Sequence, residues 1–191
     1  VALEAQKQLG LTRVLFVPAG QPWMKNDRQI TPAGHRVEMV RLAIQGKLEF
    51  SLSTIEIERQ GPTYTIDTLR QLTQEFSRQA ELYLILSWNT MAEMPGWRAP
   101  GEIIRLCTIV ATPRPGYAKP DLRALEIKIP GISQKVILLD KPVVDISATT
   151  IRERVTQGLS IKRQVPATVA DYIKEHGLYI NMRPFIAKKN V

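Results

Sequence analysis

The sequence predicts an α/β protein in which helices cover both faces of a mostly parallel, doubly wound sheet. Three observations point to it. Short apolar runs alternate along the chain with stretches of helical periodicity. The run "VLFVP" (14–18) is unbroken, as a strand buried on both faces should be, and "LYLIL", "TIVAT" and "KVILL" are further strand-length segments. Glycine and proline punctuate the helical stretches at their ends.

In chain order, "VALEAQKQLG" reads as a helix stopped by Gly10, a residue that accepts the left-handed conformation of a helix end. A strand follows at 14–18. Thr31 and Pro32 then open a helix, with threonine at the cap and proline in the first turn, carrying Val37, Met39, Val40 and Ile44 toward the core. His35 lies in its first turn as a packing or surface residue. "EFSLSTIEIE" (49–58) alternates as a strand, and "GPTYTIDTLRQLTQEF" turns into a helix with Ile66, Leu69, Leu72 and Phe76 at helical spacing. A strand at 82–86, a short helical segment from Thr90 to Met94, a helix "PGEIIRL" opened by Pro100 and a strand at 108–112 come next. "PRPGYAKPD" is a loop, and 116–133 shows no clear element. A strand at 135–139 leads to two closing helices, 149–157 stopped by Gly158 and "PATVADYIKEH" stopped by Gly177. The chain opens inside a helix, so the central first strand of a doubly wound sheet is expected to be missing from this sequence.

The 191 residues fit one domain with a real core and not two large ones. The expected organisation is a single domain over 1–191, with a small helical C-terminal part at about 147–180 and a basic tail at 181–191. Apolar residues at 44% and charged residues at 23% exclude disordered and fibrous classes. No apolar run approaches the roughly 20 residues that span a bilayer, and no leader is readable at the start, so a cytoplasmic protein is expected. The net charge of +8 favours anionic partners, although the basic residues are dispersed and nothing resembles an RNA-contacting strand. Cys107, inside "LCTIVAT", reads as a buried thiol. His35 and His176 are the only histidines and lie far apart, so no protein-held metal site is expected.

One stretch concentrates the chemistry. "DISATTIRER" (145–154) places hydroxyls and two arginines at the start of a helix, an end that already carries about half a positive charge. Two readings fit. Thr150 and Glu153 match a capping box on an ordinary helix. Alternatively an anion, most simply a phosphate, is held by backbone N–H groups, by Ser147 and Thr149 and by the Arg152 guanidinium.

Six segments, "LGLTRVLFVPAGQPWMK", "GPTYTIDTL", "LILSWNTMAEMPGW", "PRPGY", "DISATTIRERV" and "VADYIKEHGLY", resemble bacterial nicotinate-nucleotide adenylyltransferases in content and order, from Val1 to Tyr179. The resemblance implies a Rossmann-like nucleotidyltransferase fold and transfer of an adenylyl group from ATP to nicotinate mononucleotide, with Mg²⁺ accompanying the ATP. It implies that Ser147, Thr149 and Arg152 bind ATP phosphates, with Arg114 of "RPGY" as a further contact and Lys25 joining Arg152 in catalysis. For the acid substrate it implies Trp97 as the stacking surface and the backbone N–H groups of Thr65 and Arg98 as carboxylate donors. Tyr64 shapes that turn, and Asn89 belongs with the same substrate-binding set. Asn89 stands where the family carries aspartate, Ser87 where it carries glycine, and Met24 where a histidine usually precedes the lysine. The family signature "GxFDPxHxGH" would lie upstream of Val1. The expected partners are ATP and nicotinate mononucleotide, without nucleic acid or membrane and with self-association left open. Two alternatives remain: a nucleotide-binding remnant without catalysis, and a related adenylyl- or cytidylyltransferase with another phosphate acceptor.

Overall fold

The computed structural model describes residues 1–22, 30–76 and 80–180. The elements are α1 (Ala2–Leu9), β1 (Val14–Phe16), β2 (Gln21–Pro22), α2 (Ala33–Ile44), β3 (Phe50–Leu52), β4 (Pro62–Thr63), α3 (Thr65–Glu75) and β5 (Tyr83–Ser87). They continue with α4 (Trp88–Glu93), α5 (Pro100–Leu106), β6 (Thr108–Thr112), α6 (Leu122–Lys128), β7 (Val136–Leu138), α7 (Ala148–Thr156) and α8 (Ala167–Glu175). The chain divides into two compact units, one built from 1–33 with 48–145 and the other from 34–47 with 146–191.

In the first unit every described strand pairing is parallel: β1 with β3, β2 with β4, and β5–β6–β7 in that order. Successive side chains of a strand point to opposite faces, and here both faces are apolar. Leu84 and Leu86, Ile109 and Ala111, and Val136 and Leu138 join the core formed with α3, α4, α5 and α6. Tyr83 and Ile85, Val110, and Ile137 pack on the other side with Ala5 and Leu9 of α1. Helices therefore cover both faces, and the unbroken apolar runs follow from that. Ile109, Val110 and Ala111 of the middle strand have no exposed surface at all.

One sequence expectation needs correction, and one stretch that the sequence left open takes a definite form. The alternating stretch 49–58 is a strand only over Phe50–Leu52. Beyond it, the Thr54 carbonyl accepts from the N–H groups of Ile57 (2.8 Å) and Glu58 (3.0 Å), which turns the chain. The polar member of the apparent alternation, Glu56, is held sideways by the Thr68 hydroxyl at 2.8 Å. The open stretch, 116–133, contains a helix, α6. Asp121 caps it, its Oδ1 accepting from the N–H groups of Arg123 (2.9 Å) and Ala124 (3.2 Å). Past its end, the Glu126 carboxylate accepts from the N–H groups of Gly131 and Ser133, and these bonds hold its pKa below the usual carboxylate range.

Cys107 is buried as expected. Its Sγ–H donates to the Ile103 carbonyl at 3.3 Å, and burial pushes the thiol up to about 12.

The second unit is helical. Ile161, Val169, Ala170 and Ile173 form its centre, packed by Met39, Leu42 and Ala43 of α2 and by Ile151 and Val155 of α7. Met39 is thus the one expected core residue of α2 in that cluster; Leu42 and Ala43 take the remaining places. Among the described residues, no helix is long and apolar enough to cross a membrane.

Replacing Ile109 by alanine should cost about 2–5 kcal/mol in urea unfolding, because its site is sealed on all sides and cannot collapse. The same change at Ile127, 83% exposed, should stay within about 0.5 kcal/mol. Cys107 should resist alkylation at pH 8 in the folded protein and react promptly once urea unfolds it, measured by thiol titration.

Candidate functional site

In open parallel sheets ligands bind beyond the carboxyl ends of the strands. In the first unit that edge is formed by Ser87 at the end of β5 and Thr112 at the end of β6, which lie in register. The chain leaving β5 passes through α4 and a 3-10 turn at Met94–Gly96 to Trp97 and Arg98. The chain leaving β6 enters the "PRPGY" turn, closed by the Tyr117 N–H on the Arg114 carbonyl at 3.2 Å. There the Arg114 guanidinium lies 5.7 Å from the centre of the Tyr117 ring and is half-buried.

The start of α3 and the Trp97–Arg98 turn are tied together. Tyr64, extended at φ −118° and ψ 140°, is the last residue before α3, and its carbonyl accepts from the N–H groups of Asp67 and Thr68. The N–H groups of Thr65 and Ile66 precede the first helical bond, the place where a helix presents donors to an anion. Arg98 stacks its guanidinium 4.6 Å from the Tyr64 ring centre and pairs with Asp67 at 3.7 Å. Arg70 bridges Asp67 (3.2 Å) and Glu102 of α5 (2.7 and 2.8 Å). The hydrogen bond from Arg70 holds the Glu102 carboxyl below its ordinary pKa, and Glu102 in turn raises that of the guanidinium. These pairs are exposed, so they fix geometry more than they add stability.

Trp97 is half-buried and packs at the margin of the main core together with Tyr64 and Trp88. Its Nε1–H and that of Trp88 are buried without a protein acceptor among the described residues. A buried donor left unpaired costs free energy, so such groups are places where a ligand's acceptor can bind with gain.

At Ser87 the backbone has φ −87° and ψ 157°, which needs no glycine. The Ser87 hydroxyl donates to Asn89 Oδ1 at 2.8 Å and lies 2.9 Å from Thr90 Oγ1. Donation to Oδ1 leaves the Asn89 NH₂ as the donor end of the amide.

The second unit holds the other group. Ser147, not Thr150, caps α7: its Oγ accepts the Thr150 N–H at 3.0 Å, and its carbonyl accepts the Ile151 N–H. The capping box read at Thr150 and Glu153 is not formed, because the helix begins at Ala148 and Thr150 already lies inside it. The two arginines separate in role. Arg154 directs Nε and Nη2 onto the Ser160 carbonyl at 3.1 and 2.9 Å, closing the turn after α7. Arg152, half-buried, reaches only the Thr149 hydroxyl, at 3.4 Å, and pairs with no carboxylate among the described residues. A guanidinium that reaches the first turn of a helix and has no counter-charge among the described residues is suited to an anion.

Sequence reasoning missed the Arg70–Glu102 tie and the Arg98 side chain, having assigned Arg98 only through its N–H. The i, i+3 spacing of Asp67 and Arg70 was a local hint; Glu102 lies 32 residues from Arg70 and left none. Lys25 and the 181–191 tail lie outside the described residues. Among the described residues no three His, Cys, Asp or Glu side chains gather as a metal site. The groups at the strand ends are neutral hydroxyls and an amide, which do not make a protein cage for Mg²⁺.

Residues 1–154 match the cytidylyltransferase-like family model. The chain is 50% identical over 179 residues to a probable nicotinate-nucleotide adenylyltransferase of Dehalococcoides mccartyi, covering 94% of this chain and 88% of the relative. It is 41% identical to one of Thermomicrobium roseum, covering 94% and 83%. Among solved structures it resembles a Plasmodium falciparum nicotinic acid mononucleotide adenylyltransferase complexed with NaAD, with TM-score 0.72, 21% identity and coverage of 93% and 89%. A nicotinate-nucleotide adenylyltransferase of Vibrio parahaemolyticus, described as putative, superposes with TM-score 0.66 at 16% identity, covering 95% and 85%. With the α/β architecture, the parallel strand ends and matches of this length, the chain belongs to the nicotinate-nucleotide adenylyltransferase family.

Proposed function

We propose that this protein transfers the adenylyl group of ATP to nicotinate mononucleotide, giving deamido-NAD and pyrophosphate. The observation that carries the reading is the 50% identity over 179 residues to a relative of that name. The chemistry needs no protein nucleophile. A phosphate oxygen of the mononucleotide attacks the α-phosphorus of ATP, the bond to the bridging oxygen breaks, and pyrophosphate leaves with the electron pair. Catalysis then consists of aligning two polyanions and offsetting the charge that moves to the leaving group.

In this reading Arg152, Thr149 and the first N–H groups of α7 take ATP phosphates, with Arg114 and Lys25 as further cationic contacts. Ser147 contributes by shaping the helix start, since its oxygen already holds the Thr150 N–H. The nicotinate carboxylate meets the N–H groups of Thr65 and Arg98, where a helix start favours the acid over the neutral amide. Tyr64 and Asp67 hold Arg98 beside it. The Trp97 indole offers a planar face to the pyridine ring, and the Asn89 amide offers donors to ribose or phosphate oxygens. Mg²⁺ enters as the counter-ion of the triphosphate. The protein works in the cytoplasm.

A second reading, nucleotide binding without turnover, is favoured by Asn89 standing where the family carries an aspartate. Pyrophosphate release by the full-length protein with ATP, Mg²⁺ and nicotinate mononucleotide decides between them. Turnover supports transfer, whereas calorimetric ATP binding with no pyrophosphate supports the second reading. Replacing nicotinate mononucleotide by its amide should lower kcat/KM by at least about tenfold, as expected when paired donors lose their anion.

Arg152→Ala should lower kcat/KM by about 10²–10³, the usual cost of one transition-state charge contact, without lowering Tm. Arg154→Ala should do the reverse, keeping activity within a few fold while thermal unfolding moves down. Trp97→Ala should raise KM for the mononucleotide more than KM for ATP, measured by varying each substrate in turn.

A further inference from the structure

The two histidines are 141 positions apart and show no ligand spacing in sequence. The second unit brings them together. His35, in the first turn of α2, and His176, just past α8, have ring centres 5.4 Å apart at an interplanar angle of 69°. Tyr172 adjoins both, its ring stacked on His176 at 4.0 Å and meeting His35 edge-on at 5.8 Å.

Tyr172 holds both imidazoles by the same ring atom. His176 Nδ1 lies 3.0 Å from the Tyr172 carbonyl, an acceptor only, so Nδ1 carries the proton and Nε2 keeps its lone pair. His35 Nδ1 lies 2.8 Å from the Tyr172 hydroxyl, and when Nδ1–H donates to that oxygen, His35 Nε2 is likewise a lone pair. A partner on Nδ1 that sets tautomer and ring orientation is the arrangement that supports histidine ligands in metal sites.

The spacing agrees. With a metal–nitrogen distance of about 2.1 Å, each ring centre sits about 3.2 Å from the ion, and two imidazoles at a tetrahedral angle have centres about 5.3 Å apart. The observed separation is 5.4 Å. His35 is half-buried and His176 exposed, so an ion has access from solvent. Glu38, one turn along α2 from His35, is engaged by Arg41 through both oxygens at 2.8 and 2.5 Å, which lowers its pKa and occupies it. No third His, Cys, Asp or Glu completes the set among the described residues, so the pair offers an ion two protein ligands.

We propose that His35 and His176 form a two-histidine site for a borderline divalent cation such as Zn²⁺, Ni²⁺ or Cu²⁺, separate from the Mg²⁺ that accompanies ATP. Imidazole suits those ions, and carboxylate, carbonyl and water suit Mg²⁺. The site involves none of the residues assigned to adenylyl transfer, and it stands or falls without that assignment.

The test uses tag-free, chelator-stripped, ¹⁵N-labelled protein without nucleotide. With two histidines in the chain, a long-range ¹H–¹⁵N spectrum reports each ring directly. Addition of Zn²⁺ should shift the Nε2 resonances of both rings together, saturating at one equivalent, while Mg²⁺ leaves them in place. Response of only one ring, of neither, or equally to Mg²⁺ overturns the proposal, and that result needs no variant. In calorimetry, His35→Asn and His176→Asn should each weaken Zn²⁺ binding by about tenfold or more, and Tyr172→Phe, which keeps both ligands and loses only the hold on His35, by about tenfold. Unchanged Zn²⁺ affinity in a folded histidine variant also overturns it.

Discussion

The burial of β6 on both faces is the constraint from which the first unit follows. Ile109 and Ala111 face the core made with α3–α6, and Val110 faces α1, so the strand is apolar at its three central positions and flanked on both sides. Parallel neighbours β5 and β7 supply its hydrogen bonds, and parallel strands require crossover helices, which deliver the covering layers. The strand ends in register with β5, so Thr112 and Ser87 define an edge from which two loops leave. One carries Arg114; the other carries Asn89, Trp97 and Arg98.

Around that edge the polar geometry is built by secondary contacts. Asp67 is shared by Arg70 and Arg98, and Arg70 reaches on to Glu102, so the start of α3 and the turn before α5 are held in one arrangement. These are solvent-exposed pairs whose energetic worth is small. Their consequence lies in positioning: the Arg98 guanidinium is held against the Tyr64 ring and Asp67 at the start of α3.

The arginines of α7 show how one local anomaly can have two causes. Arg154 is consumed by the Ser160 carbonyl, a structural bond that closes the turn after α7. Arg152 meets only the Thr149 hydroxyl among the described residues. Ser147 occupies the cap through its oxygen, and the anion reading names Ser147, Thr149, Arg152 and backbone N–H groups. The same unit brings two remote histidines onto one tyrosine, a gathering that sequence separation concealed.

Sequence alone determined the α/β class, β6 to the residue, the stop of α1 at Gly10 and the buried state of Cys107, because these follow from local rules: apolar runs for strands buried twice, glycine for a left-handed helix end, a thiol inside an apolar run. It also fixed the family, since motifs in order survive without coordinates. It misread 49–58, where alternation arises from a turn held by Thr54 and Thr68, and it passed over α6 although Asp121 offered a cap. One of its two readings of 145–154 put a capping box at Thr150, where Ser147 is the cap of α7. Only tertiary structure decided the Arg70–Glu102 tie, the division of labour between Arg152 and Arg154, and the meeting of His35 with His176 on Tyr172. Each of these is a contact chosen by packing among groups distant in sequence, or by which of two available acceptors a long side chain can reach, and neither has a periodicity that the chain could display.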